Sequence, residues 1–233
     1  MIKKLVLSAA MTSFFAVPTL SSANSAEGLG LGVNYGLFAG PTLELTYPLT
    51  DTLQIRGALS NGMGLSETTS DTDIDYEVEA DGGINRLALD YHPFGSGFFL
   101  SAGYAVNSFE LGALGTSSAA EVVEIGDDTY TVTSDVALNG KLDWENGPTA
   151  SLGWGHSPAT GFGFLIEIGA IFTGSAGVSL SGTGTVTDGT DTLDVSTDPT
   201  VLESLQAEET ELENDVADYT VLPIFQAGIT YRF

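Results

Sequence analysis

Apolar and polar residues alternate along most of this chain, which predicts an all-β protein: an eight-stranded antiparallel transmembrane β-barrel with long extracellular loops and one short loop helix. Three observations carry the expectation. Segment after segment places apolar or aromatic side chains at every second position, the pattern of a strand with two unlike faces. The connections alternate between short Pro/Gly turns and long acidic stretches. The last strand, Tyr219 to Phe233, keeps the alternation to the final residue and stops on an aromatic.

At 233 residues the chain has the size of one domain, and no linker-like segment divides it. After the N-terminus it has no run of 18 apolar residues, so a membrane would have to be crossed by a closed barrel rather than a helix. It has no cysteine, which excludes disulfides, thiolate metal sites and a lipidated cysteine. Its 31 acids against six bases give a formal charge of -25, a surface that repels nucleic acid.

Residues 1–26 carry Lys3 and Lys4, an apolar run from Leu5 to Val17, Pro18, and small residues at Ser21, Ala23, Ser25 and Ala26. This is the pattern of a secretory signal peptide, with cleavage expected after Ala23 or Ala26. Residues 27–233 then form the barrel domain.

Leu29 to Phe38 alternates Leu29, Leu31, Val33, Tyr35 and Leu37 with Gly30, Gly32, Asn34 and Gly36; a tight Ala39-Gly40 turn leads into Pro41 to Tyr47. After the turn at 48–52, Leu53 to Ser60 puts Arg56 in mid-strand on the face opposite Leu53, Ile55 and Leu59. The stretch 61–83 is polar and acidic, with strand character around Tyr76 and Val78. Ile84 to His92 sets Leu87, Leu89 and Tyr91 against Arg86 and Asp90. A Pro93–Gly97 turn precedes Phe98 to Phe109, where Phe98, Leu100, Tyr104 and Val106 share one face and the small Ser101, Gly103 and Ala105 lie behind them.

A second polar stretch, 112–141, contains a candidate hairpin at Thr129–Val132. Leu142 to Trp154 is expected to be one strand with an irregularity at Gly147-Pro148, and after the turn at 156–161 Phe162 to Phe172 is the next. The longest insertion, 173–218, starts Gly/Ser/Thr-rich and ends in a helix: Asp198 is a good N-cap, Pro199 suits the first helical position, and Val201, Leu205, Leu212 and Val216 form a narrow stripe. That helix, around residues 199–216, is expected to lie on the surface of its loop, the alternative being that it caps the extracellular mouth or dips into it.

With the N-terminus in the periplasm, all three Pro/Gly turns fall on the periplasmic side and all three long stretches outside, the rule for barrels of the bacterial outer membrane. The charges follow the same faces. Arg56, Arg86 and Arg232, and the carboxylates Glu44, Asp90 and Glu167, all sit on the non-aromatic parity of their strands. An Arg or Lys facing lipid at mid-bilayer would cost about 2–4 kcal/mol. The six are therefore expected to project into the lumen as one mutually neutralising ionic network, either a structural plug or the lining of a narrow pore.

The two histidines, His92 and His156, fall at periplasmic turns and read as interfacial residues; no serine, histidine and acid constellation supports catalysis, and the protein is expected not to be an enzyme. The stretches 61–83, 112–141 and 173–217 carry 22 carboxylates. They form a solvated surface that divalent cations would bridge to lipopolysaccharide phosphates. Asp71, Asp73 and Asp75 have the opening spacing of a calcium loop without its glycine and terminal glutamate, a weak site for Ca²⁺ or Mg²⁺; no other cofactor is indicated.

The terminal Phe225, Ile229, Tyr231 and Phe233 resemble the assembly signal that outer-membrane barrels present to the barrel assembly machinery. With the leader, the alternating strands and the short periplasmic turns, nearly the whole mature chain resembles the small outer-membrane barrels of OmpA, OmpX and OmpW type. More narrowly, LDYHPFGSGFFLSAGY, LQAEETELENDV and LPIFQAGITYRF resemble a proteobacterial group sometimes described as CarO-like uptake porins for basic amino acids. Two functions stay open: a structural or surface-interaction barrel with a filled lumen, and a narrow porin-like channel for small solutes such as basic amino acids.

Overall fold

A computed structural model describes residues 28–69, 75–157 and 159–233; the leader, Asp71 and Asp73 lie outside them. Fifteen strands and one helix follow one another as β1 (Gly30–Gly36), β2 (Gly40–Pro48), β3 (Leu53–Ser60), β4 (Leu65–Thr69), β5 (Asp75–Asp81), β6 (Ile84–Tyr91), β7 (Phe98–Asn107), β8 (Glu110–Ser117), β9 (Val122–Ile125), β10 (Asp128–Asp143), β11 (Gly147–Trp154), β12 (Gly161–Phe172), β13 (Gly177–Thr187), β14 (Thr192–Asp194), α1 (Pro199–Val216) and β15 (Val221–Arg232).

Eight of these strands close an antiparallel barrel in the order β1-β15-β12-β11-β7-β6-β3-β2, with β2 returning to β1. The first and last strands seal it, Leu31 facing Tyr231 and Tyr35 facing Ala227. Large outward side chains are exposed all round the wall, most strongly Phe162 (86 %) and Phe164 (79 %). The inward positions of the same strands are buried, as Gly30, Gly32, Asn34 and Gly36 of β1 are, and this alternation is that of a wall between lipid and a filled interior. Within the described residues no helix is long and apolar enough to cross a membrane.

The acidic stretches are long connections, as expected, but they are folded. β14-β13-β10-β8-β5-β4, with β9 paired onto β10, make a second sheet of seven strands at the end of the barrel opposite Gly28 and Phe233. We call this sheet, with α1, the head. β10 carries the expected Thr129–Val132 hairpin as one arm of a 16-residue strand. The sequence segment Leu142–Trp154 is divided: Leu142 and Asp143 end β10 in the head sheet, and the barrel strand starts only at Gly147. A Cβ at Gly147 would strike the carbonyl of Phe172, so the chain can enter the barrel wall here only on a glycine.

Another set of glycines marks the rim on the far side. Gly40, Gly62 and Gly82 all have left-handed φ (67°, 76° and 74°). A side chain on Gly40 would meet the Gly62 carbonyl, one on Gly62 the Gly82 carbonyl, and one on Gly82 the Ser108 carbonyl. The backbone therefore stacks across neighbouring strands at the level where barrel gives way to head.

In the head, Val123, Ile125, Tyr130, Val132, Val136, Val186 and Val195 bury against Val201 and Leu205 of α1. The helix starts where expected: Asp198 accepts the Thr200 N–H at 2.9 Å, and Pro199 follows. It is not a free surface helix, because it packs on β13 and β9. Of its predicted stripe, Val201 and Leu205 enter this core, while Leu212 stays exposed. Its acids also act: Glu208 accepts the Gly126 N–H and Glu209 the Leu180 N–H, both at 2.9 Å, satisfying backbone donors of the sheet.

Candidate functional site

The lumen holds the chemistry. Glu44 (β2), Arg56 (β3), Arg86 and Asp90 (β6) and Glu167 (β12) all point inward and are buried, Glu44, Asp90 and Glu167 completely. Arg56 is the hub. Its Nη1 donates to Glu44 Oε1 at 3.0 Å and Glu167 Oε2 at 2.7 Å; its Nη2 donates to Asp90 Oδ1 at 3.0 Å and to the Ser101 hydroxyl at 3.2 Å. Its Nε lies 2.9 Å from Asp90 Oδ2, a charge contact without hydrogen-bond alignment. The guanidinium also stands 5.1 Å from the centre of the buried Phe99 ring.

Arg86 grips Glu167 with both terminal nitrogens, at 3.0 and 3.2 Å, and reaches Glu44 at 3.5 Å. Gln226 donates to Glu44 and Glu167 at 2.8 and 2.5 Å, and Ser151 donates to Glu167 at 2.5 Å. Glu167 thus accepts from four side chains on four strands. Such bidentate, charge-assisted bonds are the strong ones, and a buried cluster of this kind locks the strands that contribute to it.

Arg232 stands apart from this cluster, against the expectation of a single six-membered network. Its Nη1 donates to the Gly28 carbonyl at 2.7 Å; its Nη2 donates to Gln54 and to the His156 carbonyl. Alternation on β15 places Arg232 on the right face, but it is six residues nearer the periplasm than Gln226, below the reach of the carboxylates.

The histidines also depart from expectation. They follow β6 and β11 at the periplasmic turns, yet their rings fold into the lumen and are buried. His156 Nε2 is 2.6 Å from Glu44 Oε2, so the ring proton on that nitrogen is donated to the carboxylate. His92 lies between the Gln54 amide and the Ser96 carbonyl, both at 2.8 Å. His92 continues the even-numbered parity of Arg86 and Asp90, a signal present in the sequence. His156 has none: it enters the lumen through a left-handed backbone (φ 46°) after Gly155 at φ 156°, which breaks the alternation.

Above the charged cluster, toward the head, the same inward faces turn apolar. Ile84, Ala105, Phe109, Ile171, Leu222 and Ile224 pack with Phe38, Ala39, Met63 and Trp144. Phe109 stacks on Trp144 with 5.8 Å between ring centres and tilts against Phe38 at 5.1 Å. Trp144, which alternation alone would turn outward, is drawn in because it lies in the break between β10 and β11, and its indole N–H donates to the Tyr219 carbonyl at 3.3 Å. Two lumenal cavities, one beside Arg86 and Phe38 and one beside Arg232, measure about 20 Å³ each.

The terminal residues Phe225 and Ile229 are exposed on the outer wall, and Tyr231 meets Phe162 and Phe233 edge-on. Among the described residues no group of three or more acids and histidines is arranged to hold a metal ion.

No protein-family model matches the sequence, and neither does a curated protein. Crystal structures of outer-membrane proteins share its architecture. Acinetobacter baumannii CarO, 18 % identical, superimposes over 91 % of this chain and 100 % of its own with a TM-score of 0.57. CarO2 of the same organism, also 18 % identical, covers 89 % and 99 % with a TM-score of 0.56. Likeness at that identity speaks of architecture, and on it the chain has the CarO-like fold of a small eight-stranded outer-membrane barrel.

Proposed function

We propose that this protein is an outer-membrane barrel with a closed lumen, a structural and surface-interaction protein whose working part is the head. The observation that supports this reading most directly is the double closure of the lumen. Arg56 and Arg86 with their three carboxylates fill one level, the Phe38, Phe109 and Trp144 cluster fills the next, and each lumenal cavity has room for about one water. An eight-stranded barrel is about wide enough for its own side chains and no more. The acids and histidines are enclosed in this packing, which favours a non-enzymatic role.

Most of the acids among the described residues lie on the head, with one base there, Lys141, paired with Glu110 at 2.6 Å. Divalent cations would bridge such a surface to the phosphates of lipopolysaccharide. The outward residues of β15, with Phe233 just beyond it, are the surface presented to the barrel assembly machinery.

The competing reading is a narrow channel, with the acidic head concentrating small cations such as basic amino acids at its mouth. Liposome swelling with ornithine, arginine and neutral sugars separates the two, together with planar-bilayer recording. A closed barrel gives no swelling above protein-free vesicles and no stable single-channel steps. Swelling with ornithine or arginine, or steps that change on Arg86→Ala, would overturn the closed-lumen reading.

A further inference from the structure

The three lumenal arginines are not equivalent. Arg56 and Arg86 are ringed by carboxylates, whereas Arg232, only 5 % exposed, has no carboxylate within 4 Å among the described residues. Its partners are the Gln54 amide oxygen and two backbone carbonyls. A buried guanidinium satisfied only by neutral acceptors is a charge in want of a counter-ion.

The surroundings of Arg232 contain a place for one. Arg232, Thr46 and His156 line the same small cavity at the periplasmic end, and each has a buried polar atom with no hydrogen-bond partner: Nε of Arg232, Oγ1 of Thr46 and Nδ1 of His156. The wall of β1 beside them is cut back. A Cβ at Gly30 would collide with Thr46 Oγ1 and come within 3.7 Å of Arg232 Nη2, and one at Gly32 would stand 3.0 Å from His156 Cε1. Glycine at both inward positions leaves these groups room to converge. The cavity, about 20 Å³, takes a particle of water's size.

We propose that this cavity binds a monatomic anion of the halide class, chloride being the ordinary occupant. The Arg232 guanidinium supplies the compensating charge and its Nε–H a donor, and the Thr46 hydroxyl supplies a second donor. His156 Nδ1, with the ring proton held on Nε2 toward Glu44, is an acceptor, so the ring bounds the site without adding a donor to it. Polyatomic oxyanions exceed the space. The ion would complete the electrostatics of the periplasmic third of the lumen as Glu44, Asp90 and Glu167 complete those of the middle.

The test uses the mature chain folded in detergent in a chloride-free gluconate buffer. Chloride titration followed by ³⁵Cl NMR line broadening should saturate, and sulfate at equal concentration should not reverse it. Arg232→Gln and Thr46→Val should each weaken chloride binding at least about fivefold, while Lys141→Gln, which removes the exposed base of the head, leaves it unchanged. Thr46→Val keeps the shape and charge of the lumen and carries the test if Arg232→Gln does not fold. Bromide-soaked crystals should show an anomalous peak between Arg232, Thr46 and His156. The proposal is overturned if that peak is absent or lies elsewhere, or if broadening is the same in wild type and both lumenal variants. It is also overturned if Glu27→Gln tightens chloride binding, because the chain's own carboxylate would then be the counter-ion.

Discussion

The barrel and the head run the same alternation with opposite sign. In the barrel, large apolar side chains face out and ions face in; in the head, Val123, Ile125, Val132 and Val186 face a core shared with α1, and the acids face water. Within the barrel, the inward face itself changes character along single strands. On β12 the inward position is ionic at Glu167 and apolar four residues later at Ile171. On β15 it is apolar at Leu222 and Ile224 and polar from Gln226 onward. The outer face of these strands stays apolar over the same stretch, at Ile168, Phe172, Val221 and Phe225, so the change is confined to the lumen. Lipid absorbs the apolar side chains of the barrel and leaves its interior to be held by hydrogen bonds and ion pairs; water does the reverse for the head.

The largest effect should come from removing the hub of the ionic core. Arg56→Met leaves Glu44, Asp90 and Glu167 buried with too little positive charge, and removing one partner of a buried ionic cluster costs about 3–5 kcal/mol. Urea unfolding in lipid vesicles, followed by the emission of Trp144 and Trp154, should show that loss. A change below about 1 kcal/mol would mean that the lumenal charges do not hold the barrel, and the comparison between two equally structural cores would fail.

The matching change in the head is Ile125→Ala. Ile125 is fully buried, and emptying its site should cost about 2–5 kcal/mol. The comparison adds a directional expectation: the cost should fall on the head alone. Limited proteolysis should cut near the β9–β10 hairpin sooner than in wild type, while the barrel keeps its folded mobility on unheated gels. Parallel loss of the barrel would show that head and barrel form one cooperative unit joined through the Phe109 and Trp144 cluster. A smaller effect is expected at the helix. Asp198→Ala removes the N-cap and should cost about 0.5–2 kcal/mol, read as lower helical dichroism on heating. Glu211, Glu213 and Asp215 near the C-terminus, with no base in the last turn, already oppose the dipole and leave α1 reliant on its cap and its buried Val201, Ser204 and Leu205.

The sequence made the barrel legible because lipid enforces parity: Arg56, Arg86, Glu44, Asp90 and Glu167 were all assignable to the inner face from alternation alone. The limits of α1 were legible too, since Asp198-Pro199 is a local signal. The head sheet was not. Glu77, Glu79 and Asp81 alternate with Val78 and Ala80, but their charge makes the segment look like a solvated loop, and the partner strand β8 lies some thirty residues away. Parity likewise reports a face and not a depth, so it grouped Arg232 with carboxylates it does not reach. His156 enters by a positive φ after a glycine, a conformation that alternation cannot signal.

The smallest expected effect contrasts a half-buried carboxylate of the head with the fully buried ones of the lumen. Glu121 accepts the Ser117 hydroxyl at 2.5 Å and the Ser118 N–H at 2.6 Å, and these bonds hold its pKa below the ordinary glutamate value. The turn it closes contains Ala120 at φ 77°, a left-handed conformation that strains a non-glycine residue. A carboxyl with a lowered folded pKa contributes stability that is present above its unfolded pKa and is lost as the pH falls through the folded one. Amide exchange in the 117–121 turn, corrected for its intrinsic pH dependence, should therefore quicken as the pH drops below the unfolded glutamate value, while the lumenal amides around Arg56 stay protected. Glu121→Gln should remove the pH dependence, and Ala120→Gly should weaken it by relieving the strain the carboxylate restrains. If neither variant alters the profile, the turn is held by the sheet around it and not by this side chain.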